Sequence, residues 1–536
     1  MTLRRTGRQP VLAARGAVAA PHHAAAQAGL SMLQRGGSAV DAAITANAVL
    51  AVVYPHMAGL GGDLFCLLWD ATAGRLEGLN ASGRAAQAAT IELYRERGCQ
   101  STPVRGPLAA LTVPGAADGW WQLHRRLGRL AFGELLGPAI ELAEEGFPVP
   151  QSLAAWTVPA AQVLDEDPAA RATFRPDGRP LRMGERLAQP VLARTLRLIA
   201  EGGPDAFYRG PVAQQICDYL VARDGVLRAE DFAAHRSDWV APIQAPYRGY
   251  VAYQLPPNTQ GFVALEMLAV LEGLDVAAMR DLSAAYIHTL AEAARLALED
   301  REQYLSDPDF VEIPLASLLS PEHAEELRRR IDPHRRPPVA DTASAAGDTC
   351  YVCAVDRDGN AVSLIQSVFY DFGSGVVGGE SGVLLQNRGS FFSLDPRHPN
   401  RLEPGKRTAH TLIPAMLFAD GRPVLVYGTM GGDGQPQTQT AVVNRIVDFG
   451  YDVQRAVESP RWLYGRTWGA RTTALSLEED MPPETAARLA AMGHEVRTVP
   501  AWSDSMGHAQ AIWIDQSQGV YWAAADPRGD GAAAGW

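Results

Sequence analysis

Asp348-Thr349-Cys350-Tyr351-Val352-Cys353-Ala354-Val355-Asp356 runs through Arg357-Asp358-Gly359-Asn360 into Ala361-Val362-Ser363-Leu364-Ile365-Gln366-Ser367. Two apolar runs separated by Asp-Gly predict an antiparallel hairpin. A threonine heads its first strand. If the Asp348–Thr349 peptide bond is cut, Thr349 gains a free α-amine beside its own hydroxyl. One residue then carries both a nucleophile and its general base. Threonine also opens strands for conformational reasons alone, so the chemical reading needs support from the rest of the chain.

Support comes from both flanks. Residues 333–348 form the clearest linker, Pro-rich at first and then small and polar, and they end at Thr349. Thr342, the nearest rival start, lies inside that linker and not at a strand head. Downstream, Gly431-Gly432 follows an expected strand, Val424–Tyr427, and offers backbone N–H donors for an oxyanion.

Composition sets the outer limits. At 536 residues, with 47% hydrophobic and 20% charged residues, the chain can fill a large globular core. A net charge of −12 and basic runs no longer than Arg328-Arg329-Arg330 exclude a nucleic-acid footprint. Five cysteines spread over this length do not form a disulfide framework. Cys350 and Cys353 spell C-x-x-C, but residues three apart in a strand face opposite ways, and core packing is their expected role. No apolar run reaches membrane-spanning length, and the basic start Met1–Pro10 lacks a following apolar segment. The expectation is a cytoplasmic protein without a membrane partner.

Along the chain, residues 24–53 read as two helices split at Gly36-Gly37, with Ser38 and Asp41 capping the second. A glycine-rich loop, Tyr54 to Asp63, leads into a strand at 64–69, with hairpin-like sequence to Ala81. Helices dominate from 119 to 219. A strand pair is expected over 243–255 and amphipathic helices over 263–271 and 284–304. Beyond Thr349 the pattern turns to strands as far as 426. Helices then follow near 437–449 and 483–492, with a last strand at 511–514.

Other catalytic signatures fail. Gly373-Ser374-Gly375-Val376-Val377-Gly378 fits G-x-G-x-x-G, but a strand-like Val383-Leu384-Leu385 follows where a dinucleotide loop needs a helix. Glu380-Ser381-Gly382 lacks the last glycine of a nucleophile elbow. The histidines, among them His22, His23, His56 and His410, show no metal-ligand spacing, so neither a catalytic metal nor a cofactor is expected.

The segment from Thr349 to Asp395 resembles the γ-glutamyltransferase family of N-terminal-nucleophile hydrolases. So do Gln27–Leu30, Gly36–Ala43, Val113-Pro114-Gly115, Tyr247–Tyr250, Glu292–Arg295, Asp307–Phe310 and Asp526-Pro527-Arg528, in the family's order. The resemblance implies a four-layer αββα sandwich made as a proenzyme. It would cleave itself between Asp348 and Thr349 into a large subunit, 1–348, and a small subunit, 349–536, that together form one unit; a homodimer of such heterodimers is compatible with it. It places Thr349 as nucleophile, Ser367 where the family has a supporting threonine, and Gly431 and Gly432 in the oxyanion hole.

Departures from the family concern substrate recognition. The positions whose Asn, Gln and Asp side chains hold a glutamyl α-ammonium correspond to Phe369, Arg388 and Phe391. Phenylalanine accepts no hydrogen bond from an ammonium, and arginine repels it. The paired serines on the α-carboxylate become His410 and Thr411. The family arginine aligns with Ser82, with Arg84 two residues on. Arg388 and Arg84 suit a carboxylate. The stretches Leu384–Gly389 and Gly428–Gln437 look like the branch that includes oxamate amidohydrolase and cephalosporin-acylase-like enzymes. The implied substrate is a small-molecule amide whose acyl part bears a carboxylate but no α-amino group. A γ-glutamyl enzyme with a rearranged pocket, and an unprocessed binding protein, are the competing readings.

Overall fold

A computed structural model describes residues 7–337, 347–467 and 472–536. Two seven-stranded antiparallel sheets lie at its centre. In the first, the strands run Ala532–Gly535, Gly16–Ala20, Asp348–Asp356, Ala361–Phe369, Asp63–Asp70, Arg75–Ala81 and Asp238–Val240. In the second the order is Val11–Ala13, Val520–Ala525, Ala509–Asp515, Arg422–Thr429, Ala415–Ala419, Tyr250–Gln254 and Ile243–Tyr247. Both sheets contain segments from before and after residue 349, paired side by side.

Side-chain alternation explains the layering. Along Asp348–Asp356, Tyr351, Cys353 and Val355 join the core between the sheets, with Phe65, Ile365, Met416, Val426 and Ile512. Cys350, Val352 and Ala354 face the other way, into a core built with helices His23–Gln34 and Ala39–Val53. The two cysteines are therefore on opposite faces. Helices Gly261–Glu272 and Gly434–Val447 cover the outer face of the second sheet. The result is the αββα order of four layers. Where the sheets meet, Gly428 makes room for Tyr351: a Cβ there would lie 2.3 Å from the tyrosine ring.

Local signals hold where they are strong. Ser38 and Asp41 form a capping box at the start of Ala39–Val53, and Asp358-Gly359 turns the central hairpin. The expected strand at 383–385 is reduced to isolated bridges, Val377↔Leu384 and Gly61↔Leu385. A three-residue 3₁₀ turn, Gly379–Ser381, follows the glycine run in place of a helix. Most of the linker, 338–346, lies outside the described residues. Among those described, no helix is long and apolar enough to cross a membrane.

Candidate active site

Three polar side chains cross one end of the first sheet. Asp63 pairs with Ser367 in neighbouring strands. On the other side of Ser367, the ladder passes from Asp348↔Phe369 to Cys350↔Gln366. Ser367 and Val368 therefore oppose Thr349 alone. This is a β-bulge, the local irregularity that re-aims side chains at sheet ends. Thr349 is 1% exposed, and its Oγ1 meets no hydrogen-bond partner among the described residues.

The bulge forces Phe369 to φ +84°, a region that a bulky side chain seldom occupies. The Phe369 N–H donates to Ser367 Oγ at 2.8 Å, and the same oxygen accepts from Arg388 Nη2 at 3.1 Å. Arg388 sits in the short turn Arg388–Phe391. Its guanidinium lies 4.1 Å from the centre of the Phe369 ring and 5.8 Å from that of Phe391. The two rings are 4.9 Å apart, so the cation rests against an aromatic wall. Arg388 is fully buried, its Nε and Nη1 have no acceptor, and it makes no carboxylate ion pair among the described residues. Burial lowers its pKa to about 9, with Asp63 and Tyr370 opposing, so the side chain remains cationic at neutral pH.

Asp63 is already engaged. Its Oδ1 accepts from the amides of Gly83 and Gly115, at 2.9 and 3.2 Å, and its Oδ2 lies 3.2 Å from His410 Nε2. Burial and the field of Arg388 hold His410 down to about 4 despite Asp63. The imidazole is therefore neutral at pH 7, packed edge-on against Phe65.

Gln260 ties the remaining pieces together. Its Nε2 donates to the carbonyls of Thr411 and Gly432, at 2.9 and 3.0 Å. Its Oε1 accepts from Arg301 Nη1, which also binds Asp433 Oδ1 at 2.6 Å. Gly431 (φ +131°) and Gly432 (φ +53°) form the bend between strand Arg422–Thr429 and helix Gly434–Val447. Only glycine adopts both conformations readily. Neither of their amides donates to an acceptor among the described residues, and both lie at the positive end of the helix dipole. A cavity of about 640 Å³ opens beside this cluster, lined by Ser390, Phe391, Ala409 and Arg301, among others.

Direct contacts thus link Ser367, Arg388, Phe369 and Phe391, with Thr349 across the bulge. Asp63 joins His410 to this group, and Gln260 joins Thr411 and Gly432. Arg84 is placed differently: its guanidinium binds Asp307 at 3.3 Å and Asp309 at 2.8 Å, with Asp238 at 4.0 Å. Asp348 contributes its backbone to the ladder opposite Phe369. Sequence reasoning missed Asp63, Gln260 and the Arg301–Asp433 pair. The run Gly61-Gly62-Asp63 was the available signal for the first; the others carry none.

A family model described as Gamma-glutamyltranspeptidase matches residues 25–536. The chain is 44% identical over 525 residues to the Glutathione hydrolase-like YwrD proenzyme of Bacillus subtilis (strain 168), covering 98% of this chain and 99% of that protein. It is 41% identical over 527 residues to the Oxamate amidohydrolase proenzyme of Klebsiella pneumoniae, covering 97% and 98%. Among solved structures, cephalosporin acylase from Bacillus halodurans superposes with a TM-score of 0.92 at 39% identity, covering 100% of this chain and 98% of that one.

Proposed function

The chain belongs to the gamma-glutamyltranspeptidase family of N-terminal-nucleophile hydrolases, and from that premise we propose a self-processing amidohydrolase for amides whose acyl group carries a carboxylate and no α-amino group. In maturation, Thr349 Oγ adds to the Asp348 carbonyl carbon and the C–N bond breaks. Water then hydrolyses the resulting ester, leaving a carboxylate on Asp348 and a free α-amine on Thr349. In turnover, Oγ attacks the substrate amide while the α-amine takes its proton. The Gly431 and Gly432 amides hold the oxyanion. The leaving amine departs with the proton, and water releases the acid.

One observation carries the substrate reading: Arg388, a fully buried cation beside Ser367 that, among the described residues, has no carboxylate partner and two nitrogens without acceptors. A buried charge is tolerated when paired, and a substrate carboxylate supplies the missing partner. Phe369 and Phe391 offer an ammonium group no acceptor. Arg84 is neutralised by its own acids, which leaves Arg388 as the anion receptor.

The experiment is an amide panel on purified protein: oxamate, glutaryl and succinyl amides against γ-glutamyl-p-nitroanilide. Processed protein, resolved on a denaturing gel as two pieces with Thr349 leading the shorter, is expected to favour the unaminated acids by at least about tenfold in kcat/KM. Equal or better turnover of the γ-glutamyl amide would favour the rearranged glutathione hydrolase. T349A is expected to remain one uncut chain without activity. A wild-type chain that stays whole and inactive would leave only a binding protein.

A further inference from the structure

Helix Gly261–Glu272 begins immediately after Gln260 and packs against helices Ala284–Tyr304 and Pro321–Arg329. Where the three meet, they bring together Glu266, Asp300 and His323, whose ligand atoms all lie within 4.8 Å of one another. We propose that this cluster is a site for a divalent first-row transition-metal ion of the zinc or manganese type.

Two independent observations support it. The first is geometry. One imidazole and two carboxylates from three different helices converge on one point, a donor set suited to zinc and its neighbours. A zinc ion with bonds of about 2.0–2.2 Å draws its ligands to within about 3.6 Å of one another, so closing around it needs side-chain shifts of about 1 Å. The second is the state of Glu266. It is 2% exposed, and neither carboxylate oxygen meets a hydrogen-bond donor among the described residues. A carboxylate buried without a partner is costly, and this one is aimed at two more ligands. Asp300 and His323 are only partly buried, bonded to each other at 2.8 Å, and lie on the solvent side. That arrangement gives an ion a way in and leaves a coordination position open to water.

The placement suggests a structural ion. Asp300 precedes Arg301, which binds Gln260 and Asp433, and Glu266 lies six residues along the helix from Gln260. An ion here would clamp together the helices that carry these supports. The site does not depend on what Arg388 binds.

The test uses the full chain without a polyhistidine tag, stripped with EDTA and equilibrated with zinc, manganese, magnesium or calcium chloride. Bound metal is measured by inductively coupled plasma mass spectrometry and Tm by calorimetry. The expected result is about one zinc or manganese ion per chain with a rise in Tm of about 3 °C or more, and little magnesium or calcium. E266Q, close in shape, and H323A, at the rim, are each expected to abolish both effects. The proposal is overturned if wild-type protein retains less than about 0.2 ion per chain, if magnesium or calcium binds as well as zinc, or if neither variant changes the stoichiometry.

Discussion

At the scale of single residues, Arg388 combines the need for a ligand with a cost to the fold. A buried guanidinium that keeps two nitrogens unsatisfied destabilises the protein it sits in. The same feature readies it for an anion. Arg388→Met is therefore expected to move two quantities in opposite directions. Turnover of carboxylate-bearing amides should fall about 100-fold in kcat/KM, equivalent to about 2.7 kcal/mol. Stability should rise by about 1–3 kcal/mol, since an apolar side chain of similar volume replaces a buried charge that has no carboxylate partner among the described residues. Paired kinetics and urea unfolding read both. A variant that loses activity and stability together would mark Arg388 as a structural residue. The aromatic rings of Phe369, at its strained φ, and Phe391 lie beside the guanidinium.

At the scale of elements, the contact between strands Asp348–Asp356 and Arg422–Thr429 fixes the distance between Thr349 and the glycine bend. Gly428 abuts Tyr351, two residues after Thr349. Gly428→Ala is expected to lose about 1–3 kcal/mol through overpacking and, on the proposed mechanism, to lower kcat more than it raises KM, because Thr349 and the Gly431 and Gly432 amides shift apart. Thermal melting and steady-state kinetics check it; an unchanged kcat would show that the bulge at Thr349 and the glycine bend move as one body. The hairpin around Asp358-Gly359 and the capped helix Ala39–Val53 were legible in sequence because each carries its own turn or cap chemistry. Strands Gly16–Ala20 and Ala532–Gly535 were not. They are made of small residues with weak β-propensity and become strands only by pairing with each other, Gly16–Ala20 also bordering the central hairpin. The site divides in the same way. Thr349, Ser367 and the glycine pair belong to motifs that can be read in a line. Asp63, Gln260 and the cluster Glu266, Asp300 and His323 on three helices acquire their surroundings from segments far apart in sequence, so no local pattern announces them.

At the scale of the whole molecule, buried histidines govern the response to acid. His410 and His235 are held down to about 4, and His22 and His494 to about 3, with His56 and His508 also lowered; burial is the largest cause in every case. These rings are neutral in the folded state, while an unfolded histidine binds a proton below about pH 6.5. Between pH 6.5 and 4 the unfolded chain therefore binds more protons, and stability falls as pH falls, by up to roughly 1.4 kcal/mol per pH unit for each ring. Glu266 and Asp371, raised by burial, act with the opposite sign but are fewer. The urea midpoint is expected to be flat above pH 7 and to drop steadily from 6.5 to 4.5. A flat midpoint over that whole interval would mean that the rings are charged in the native protein.

The pairing of early with late segments within both sheets gives the bond before Thr349 a particular meaning. Strand Asp348–Asp356 lies between Gly16–Ala20 and Ala361–Phe369, with Asp63–Asp70 next in line. A break at its head is a nick in a woven fabric, and the two pieces stay in place because every seam around them is still hydrogen-bonded. Before the break, one polymer finds its shape alone; after it, two strangers must meet in solution to rebuild the same sheets. Scission would thus spend the chain's folding information once, leaving an enzyme that lasts as long as it stays folded and is not readily made again from its parts.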